Sequence, residues 1–218
     1  MAIPRAAAVA ELGWSPPDEL DYAGFRARLD VATRWYRALG YEFATTEFRA
    51  PEPVAEFFRR SQQLETCTDR LVLNAEDDAP LDGERAVFLI DILNPCWIYR
   101  DVDLAQVAAI VATVGQLPFN FQIGAERASI ELREPRTPDG ELEVRLEGCT
   151  GELLAALPLQ PAIASAGVTT LPRAVLESRP GRHDLCFSFT SDAVDPMWAI
   201  DSIELVRRER ADTALARQ

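Results

Sequence analysis

The sequence contains no lysine, so all 22 of its basic residues are arginine, set against 35 aspartates and glutamates. The resulting net charge of −13 repels a phosphate backbone and argues against nucleic acid or an anionic membrane surface as a partner. No apolar run reaches the roughly 18 residues of a membrane-spanning helix, and the first residues lack the charged start and long apolar core of a signal peptide. The expectation is a soluble, unexported, cytoplasmic chain. A single histidine, His183, rules out a histidine-rich metal cage and leaves one imidazole for any Ser-His-Asp arrangement. Its place in the strand-like "GRHDLCFSF" reads as structural. The four cysteines, Cys67, Cys96, Cys149 and Cys186, have none of the close paired spacing of a zinc site. They read either as small buried hydrophobes or as two disulfides, the wide spacings suiting cross-strand staples.

What is present is ordinary globular composition: 218 residues, 48% hydrophobic and 26% charged, enough for one domain of about 150 residues and an appendage. The chain opens with "IPRAAAVAELGWSPPDE", in which Pro4 suits a first helical position and Gly13 a helix end. From Asp21 to Gly40, Phe25, Leu29, Ala32, Tyr36 and Leu39 fall on one helical face that ends at a glycine. Two helices of about ten and about twenty residues cannot close a core of their own. "RAPEPVAEFF" then reads as a linker entering a short helical or irregular turn.

Beyond it, short runs rich in β-branched and aromatic residues recur between Gly, Pro, Asn and Asp. They are "DRLVLN", "RAVFLIDI", "WIYRDVDL", "AAIVATVG", "FNFQIG", "ASIELRE", "ELEVRLEG", "ELLAAL", "HDLCFSFT" and "WAIDSIELV". With no long helix between them, they predict a mainly β protein: an antiparallel jelly-roll β-sandwich preceded by two α-helices. "DLAQVAAIVATVG" reads as a strand with a leading turn, and "RRERADTALARQ" as a charged, frayed tail. The expected organisation is residues 1–50 helical, 55–207 sandwich and 208–218 tail. No internal repeat is present.

The segment "IPRAAAVAELGWSPPDELDYAGFRARLDVATRWYRALGYEF" resembles the closing part of glycoside hydrolase family 20, the β-N-acetylhexosaminidases, whose (β/α)8 barrels end in a "WPRA-AVAE-LWS" helix and a long helix carrying "RL" and "LG". Gly13 departs from the bulkier residues usual there. The β-region resembles the jelly rolls related to carbohydrate-binding module family 6, through "TGELLAALPL" and "GRHDLCFSFTSDAVDPMWAIDSIEL". The resemblance implies helices left from a barrel C-terminus, an accessory module, and a parent enzyme that releases terminal β-linked N-acetylhexosamine. In that family the substrate's acetamido oxygen attacks the anomeric carbon while an Asp-Glu pair orients it and protonates the leaving group. The "H-x-G-G-D-E" motif bearing this pair does not occur here, and the Trp-x-Glu of the sugar pocket would precede the first helix. Asp18 and Glu19 after "SPP" read as a solvated helix-entry pair. No catalytic residue carries over, so the chain by itself is expected to be inactive, its missing barrel being the implied partner.

For sugar binding, the candidates are Trp198, following a turn and expected half exposed, with Asn120 and Gln122 in "LPFNFQIG" as polar contacts. Phe119 and Phe121, alternating with them, read as a core-facing pair, and Trp97 in "NPCWIYRD" as core. Where the related modules carry a cleft tryptophan, this chain has "AIASAGVTTLP". Asp201 resembles the last-strand aspartate of a structural calcium site, for which Glu76, Asp77 and Asp78 in "NAEDDAP" offer further oxygens; a solvated acidic loop is the alternative. No other cofactor is implied. The arginine pairs Arg59 with Arg60 and Arg207 with Arg208 read as solvated faces or carboxylate partners. The partner class implied is glycans containing N-acetylhexosamine, and the alternative is a structural sandwich that binds nothing. A hydrolase built on the sandwich itself lacks any clustered pair of carboxylates.

Overall fold

The computed structural model describes residues 5–16, 21–41, 55–76, 86–165 and 167–208. Pro4, the Asp18–Glu19 pair and the acidic residues Asp77 and Asp78 lie outside them. The chain divides into two compact units, residues 1–53 and 54–218. No helix among the described residues is long and apolar enough to cross a membrane.

In the first unit, α1 spans Arg5–Trp14 and α2 spans Tyr22–Ala38. Gly13 lies inside α1 rather than ending it, a difference of one residue at a fraying end. Asp21 caps α2, its carboxylate accepting from the backbone N–H groups of Ala23 at 3.2 Å and Gly24 at 2.7 Å. Gly40, with φ +75°, closes the helix in the left-handed region. Of the expected apolar face, Leu29 is buried and Leu39 is exposed. Glu11 and Arg28 join the two helices as an ion pair.

The second unit is an antiparallel β-sandwich. Its strands are β1 (Phe58–Arg60), β2 (Glu65–Thr66), β3 (Val72–Glu76), β4 (Val87–Asp91), β5 (Cys96–Asp103), β6 (Val107–Leu117), β7 (Glu141–Leu146), β8 (Leu153–Pro158), β9 (Thr169–Thr170), β10 (Ala174–Val175), β11 (Arg182–Phe189) and β12 (Met197–Arg207). One sheet runs β1-β12-β6-β10, with β9 also on β6; the other runs β2-β5-β11-β7-β8; β3 and β4 form a separate hairpin. The longest ladder joins β12 to β6, from Met197 opposite Leu117 to Arg207 opposite Val107. Alternation decides which side chains enter the core. On β11, Leu185 and Phe187 face the opposite sheet, while Cys186 and Ser188 lie on the outer face although they too are buried. Phe189 of β11 stacks on Trp198 of β12 at 6.0 Å and meets Trp97 of β5 edge-on at 5.7 Å, so three rings tie the sheets together. Trp97 is fully buried, and its indole N–H donates to the Leu89 carbonyl at 2.7 Å.

Two expected strands do not form. "FNFQIG" is irregular and runs into a 3-10 turn over Gly124–Ser129, which takes in the first two residues of "ASIELRE" and leaves the rest irregular. Their alternating pattern comes instead from a loop whose apolar residues, Phe119, Phe121, Ile123 and Ile130, pack against the sandwich core. Of "RAPEPVAEFF", residues 49–54 lie outside the described residues; residues 55–57 precede the short β1, a 3-10 turn follows at Ser61–Gln63, and Ser61 Oγ accepts from the Leu89 N–H at 3.0 Å. Arg208, placed by sequence in the tail, is held: its guanidinium donates to the carbonyls of Val107 at 2.8 Å and Leu176 at 3.0 Å.

Candidate functional site

A pocket of about 210 Å³ opens where β5 and β11 pair and the β1 segment approaches them. A bulge shapes it. The β5–β11 register shifts between His183 and Leu185, and Asp101 of β5 takes a left-handed φ of 57°, a conformation aspartate tolerates better than most residues. The exposed N–H of Asp101 is satisfied by Asp184 Oδ1 at 2.9 Å, and the Asp101 carboxylate accepts from Arg182 Nε at 2.5 Å. Arg182 also donates to the Asp101 carbonyl at 2.6 Å. Arg100, on the far side of the bulge, bridges Glu65 at 2.7 Å and Asp184 at 2.6 Å.

These pairs fix the charge states. The hydrogen bond from Arg182 holds the Asp101 carboxyl below its usual range and raises Arg182 in return. The bond from the Asp101 N–H, then the Arg100 contact, lowers Asp184. Glu65 and Asp184 together raise Arg100. Three guanidinium groups, Arg59, Arg100 and Arg182, line the pocket with three carboxylates, Glu56, Asp101 and Asp103, so its formal charge is zero despite the acidity of the whole chain. Tyr99 forms part of the wall, its hydroxyl donating to the Glu56 carbonyl at 2.8 Å. Burial pushes the Tyr99 phenol up. Its ring face is covered by the Arg59 guanidinium at 4.7 Å, and that of Phe57 by Arg207 at 4.6 Å. The pocket therefore offers donors and acceptors, not an open ring.

Trp198 sits elsewhere and is only 7% exposed, against the half exposure expected from its turn. It is the second residue of β12, paired with Gln116, and stacking on Phe189 buries it. Its edge lines a cleft of about 30 Å³, room for about one water, with Pro95, Leu132, Val194 and Pro196. Asn120 and Gln122 are exposed on the loop after β6 and line neither pocket. Phe119 and Phe121 form the expected pair, edge-on at 5.5 Å, with Arg127 over Phe119. No aromatic ring among the described residues of the sandwich is exposed.

Asp201 is buried, and both its carboxylate oxygens accept from Arg60 Nη1, at 3.1 and 2.9 Å. Glu76 ends β3 as an exposed side chain. His183 Nδ1 meets Glu147 at 2.7 Å and its Nε2 the Pro180 carbonyl at 3.1 Å. The four cysteines come together on the outer face of the second sheet, Cys67 bonded to Cys96 and Cys149 to Cys186. Sequence reasoning missed the bulge pocket because Glu56, Arg59, Asp101 and Arg182 converge from separate segments. The one local signal was "YRDVD", in which Arg100, Asp101 and Asp103 put three charges at the end of an otherwise apolar strand.

No family model matches the sequence, and no curated protein matches it. Among solved structures, the chain is similar to a family 6 carbohydrate-binding module from Clostridium cellulolyticum in complex with xylose, at 15% identity and a TM-score of 0.45 over 68% of this chain and 95% of that one. It is also similar to a β-1,3-glucan-binding module of the same family from Bacillus halodurans, at 17% identity and a TM-score of 0.45 over 70% and 95%. A third is CsCBM6-3 from Clostridium stercorarium in complex with cellobiose, at 13% identity and a TM-score of 0.44 over 70% and 95%.

Proposed function

We propose that the sandwich is a carbohydrate-binding accessory domain and that its binding site is the bulge pocket beside Asp101. The observation that carries this reading is the pairing of guanidinium and carboxylate groups around a pocket of zero formal charge. A sugar is neutral, and each hydroxyl both donates and accepts; such a ligand needs fixed partners of both kinds at one place. At about 210 Å³ the pocket lies below the range of about 300–1,000 Å³ for drug-sized ligands, which fits one ring and not a chain. In this reading, Arg182, Asp101 and Arg59 supply polar contacts, and ring stacking plays no part.

The finer reading, carried by the "PRAAAVAELGWSP" resemblance, makes the chain the accessory region of a β-N-acetylhexosaminidase, with N-acetylhexosamine-containing glycans as ligands. The exposed apolar side chains of the helical unit, among them Val9, Leu12, Trp14, Val31 and Trp35, support it, since such a surface suits packing on a catalytic barrel. Glycan-array binding followed by calorimetry tests the first claim. Retention of a glycan whose affinity falls at least tenfold in Arg182→Ala supports it, and a blank array sinks it. The finer claim predicts that the 218-residue chain leaves a chromogenic β-N-acetylglucosaminide intact and that retained glycans end in N-acetylhexosamine. The second reading, a structural sandwich that binds nothing, is favoured by the covered faces of Tyr99 and Phe57, and a blank array is its outcome.

A further inference from the structure

Four separate segments deliver the cysteines to one point: Cys67 just after β2, Cys96 at the start of β5, Cys149 in the β7–β8 turn and Cys186 within β11. The register explains the convergence. Ser188 opposes Cys96 and Cys186 opposes Ile98, which sets Cys96 and Cys186 on the same outer face, and the Cys67 N–H reaches the Cys96 carbonyl at 3.4 Å. All four sulfurs lie within 4.8 Å of one another. Across the two bonded pairs, Cys67 Sγ is 3.6 Å from Cys149 Sγ and 3.8 Å from Cys186 Sγ. A tetrahedral zinc site with bonds of about 2.3 Å requires its sulfurs about 3.8 Å apart.

The turn that presents Cys149 is shaped for it. Glu147 and Gly148 both take positive φ, 56° and 128°, and a Cβ on Gly151 would stand 1.7 Å from the Leu146 carbonyl oxygen. Arg145, opposite Cys186 in the ladder, closes the turn by donating to the Gly151 carbonyl at 2.8 Å. Cys96 and Cys186 are buried, whereas Cys67 and Cys149 are half-buried, leaving an open side for an ion. The spacing of the cysteines in sequence carries no zinc signal because the ligands come from four different parts of the sheet rather than from a single knuckle.

We propose that the reduced chain binds one soft divalent cation, with zinc as the probe, as a tetrathiolate of Cys67, Cys96, Cys149 and Cys186. Four thiols bind one zinc ion and release four protons, with no electron transferred. Starting from two disulfides, two equivalents of a phosphine and two waters first give four thiols and two phosphine oxides.

The experiment uses the full chain, reduced with phosphine under argon, stripped of metal and assayed for thiols before titration with cobalt(II) and then zinc. The expected result is four titratable thiols, a tetrahedral cobalt thiolate spectrum saturating at one equivalent, and stoichiometric displacement by zinc. Cys67→Ser and Cys149→Ser should each weaken binding at least as much as loss of an outer-shell partner does elsewhere, about 10- to 100-fold. If reduction unfolds the metal-free chain, zinc restores its circular dichroism. Thiols that resist reduction, an octahedral or substoichiometric cobalt spectrum, or an unfolded reduced chain that zinc does not restore would each overturn the proposal.

Discussion

Asp91 shows how much one side chain can organise. Fully buried at the end of β4, its carboxylate accepts from the N–H groups of Arg70 and Leu71 at 3.2 Å and Leu93 at 3.1 Å, and from the Thr68 hydroxyl. Asp91→Asn keeps the shape but turns an amide donor toward these donors. We expect a loss of about 2–3 kcal/mol in urea unfolding, the scale of hydrogen bonds to a buried charge. His183 makes a pH-dependent contribution. Its hydrogen bond with Glu147, then that with the Pro180 carbonyl, raises its pKa above the ordinary value of 6.5. Folding therefore favours the protonated form: the stabilisation is complete below about pH 6.5 and disappears as the pH rises through the folded value. Glu147→Gln should accordingly lower the unfolding midpoint at pH 5.5 and leave it nearly unchanged at about pH 9. An equal shift at both pH values would refute this assignment. Single residues of this kind were poorly legible in the sequence, since neither the donors around Asp91 nor the partner of His183 lies within a periodic pattern.

At the scale of elements, β6, β11 and β12 were legible because β-branched and aromatic residues alternate along them and one full face is buried. β1, β2, β9 and β10 were not, having only two or three residues each. The loop from Phe119 to Glu134 was misread as two strands. Its apolar residues reach the core side by side without a ladder, and local alternation cannot distinguish a packed loop from a paired strand. Glycines mark where backbone segments press together. A Cβ on Gly140, whose φ is +75°, would lie 2.3 Å from the Thr190 carbonyl oxygen, whereas Gly124, at φ +58°, has nothing within 4 Å of its Cβ position. Gly124→Ala should cost about 1 kcal/mol of left-handed strain. Gly140→Ala adds a backbone clash, bringing the cost to about 3 kcal/mol. Comparing the two thermal midpoints measures the clash alone; equal shifts would mean that the Gly140 turn relaxes freely.

For the whole molecule, the division of labour between the units is directly testable. The continuous core runs through residues of the second unit, while among the described residues of the helical unit the only buried hydrophobic one is Leu29. Residues 54–218 expressed alone should therefore unfold cooperatively, with an m-value in proportion to their buried surface. A broad, non-cooperative transition would show that the sandwich depends on the helices. The sandwich class was legible from strand spacing alone, but the pocket and the sulfur cluster were not, because both are made by the order in which strands lie side by side.

That order also sets a timetable for synthesis. β12 is the inner strand between β1 and β6, and its Ser202 faces Arg60, a residue made long before it. A chain emerging from the ribosome at about 5–20 residues per second must leave β1 and the β12-facing edge of β6 unpaired until β12 has been made. The net charge of −13 then acts during the wait, keeping apart nascent chains whose exposed edges would otherwise find one another.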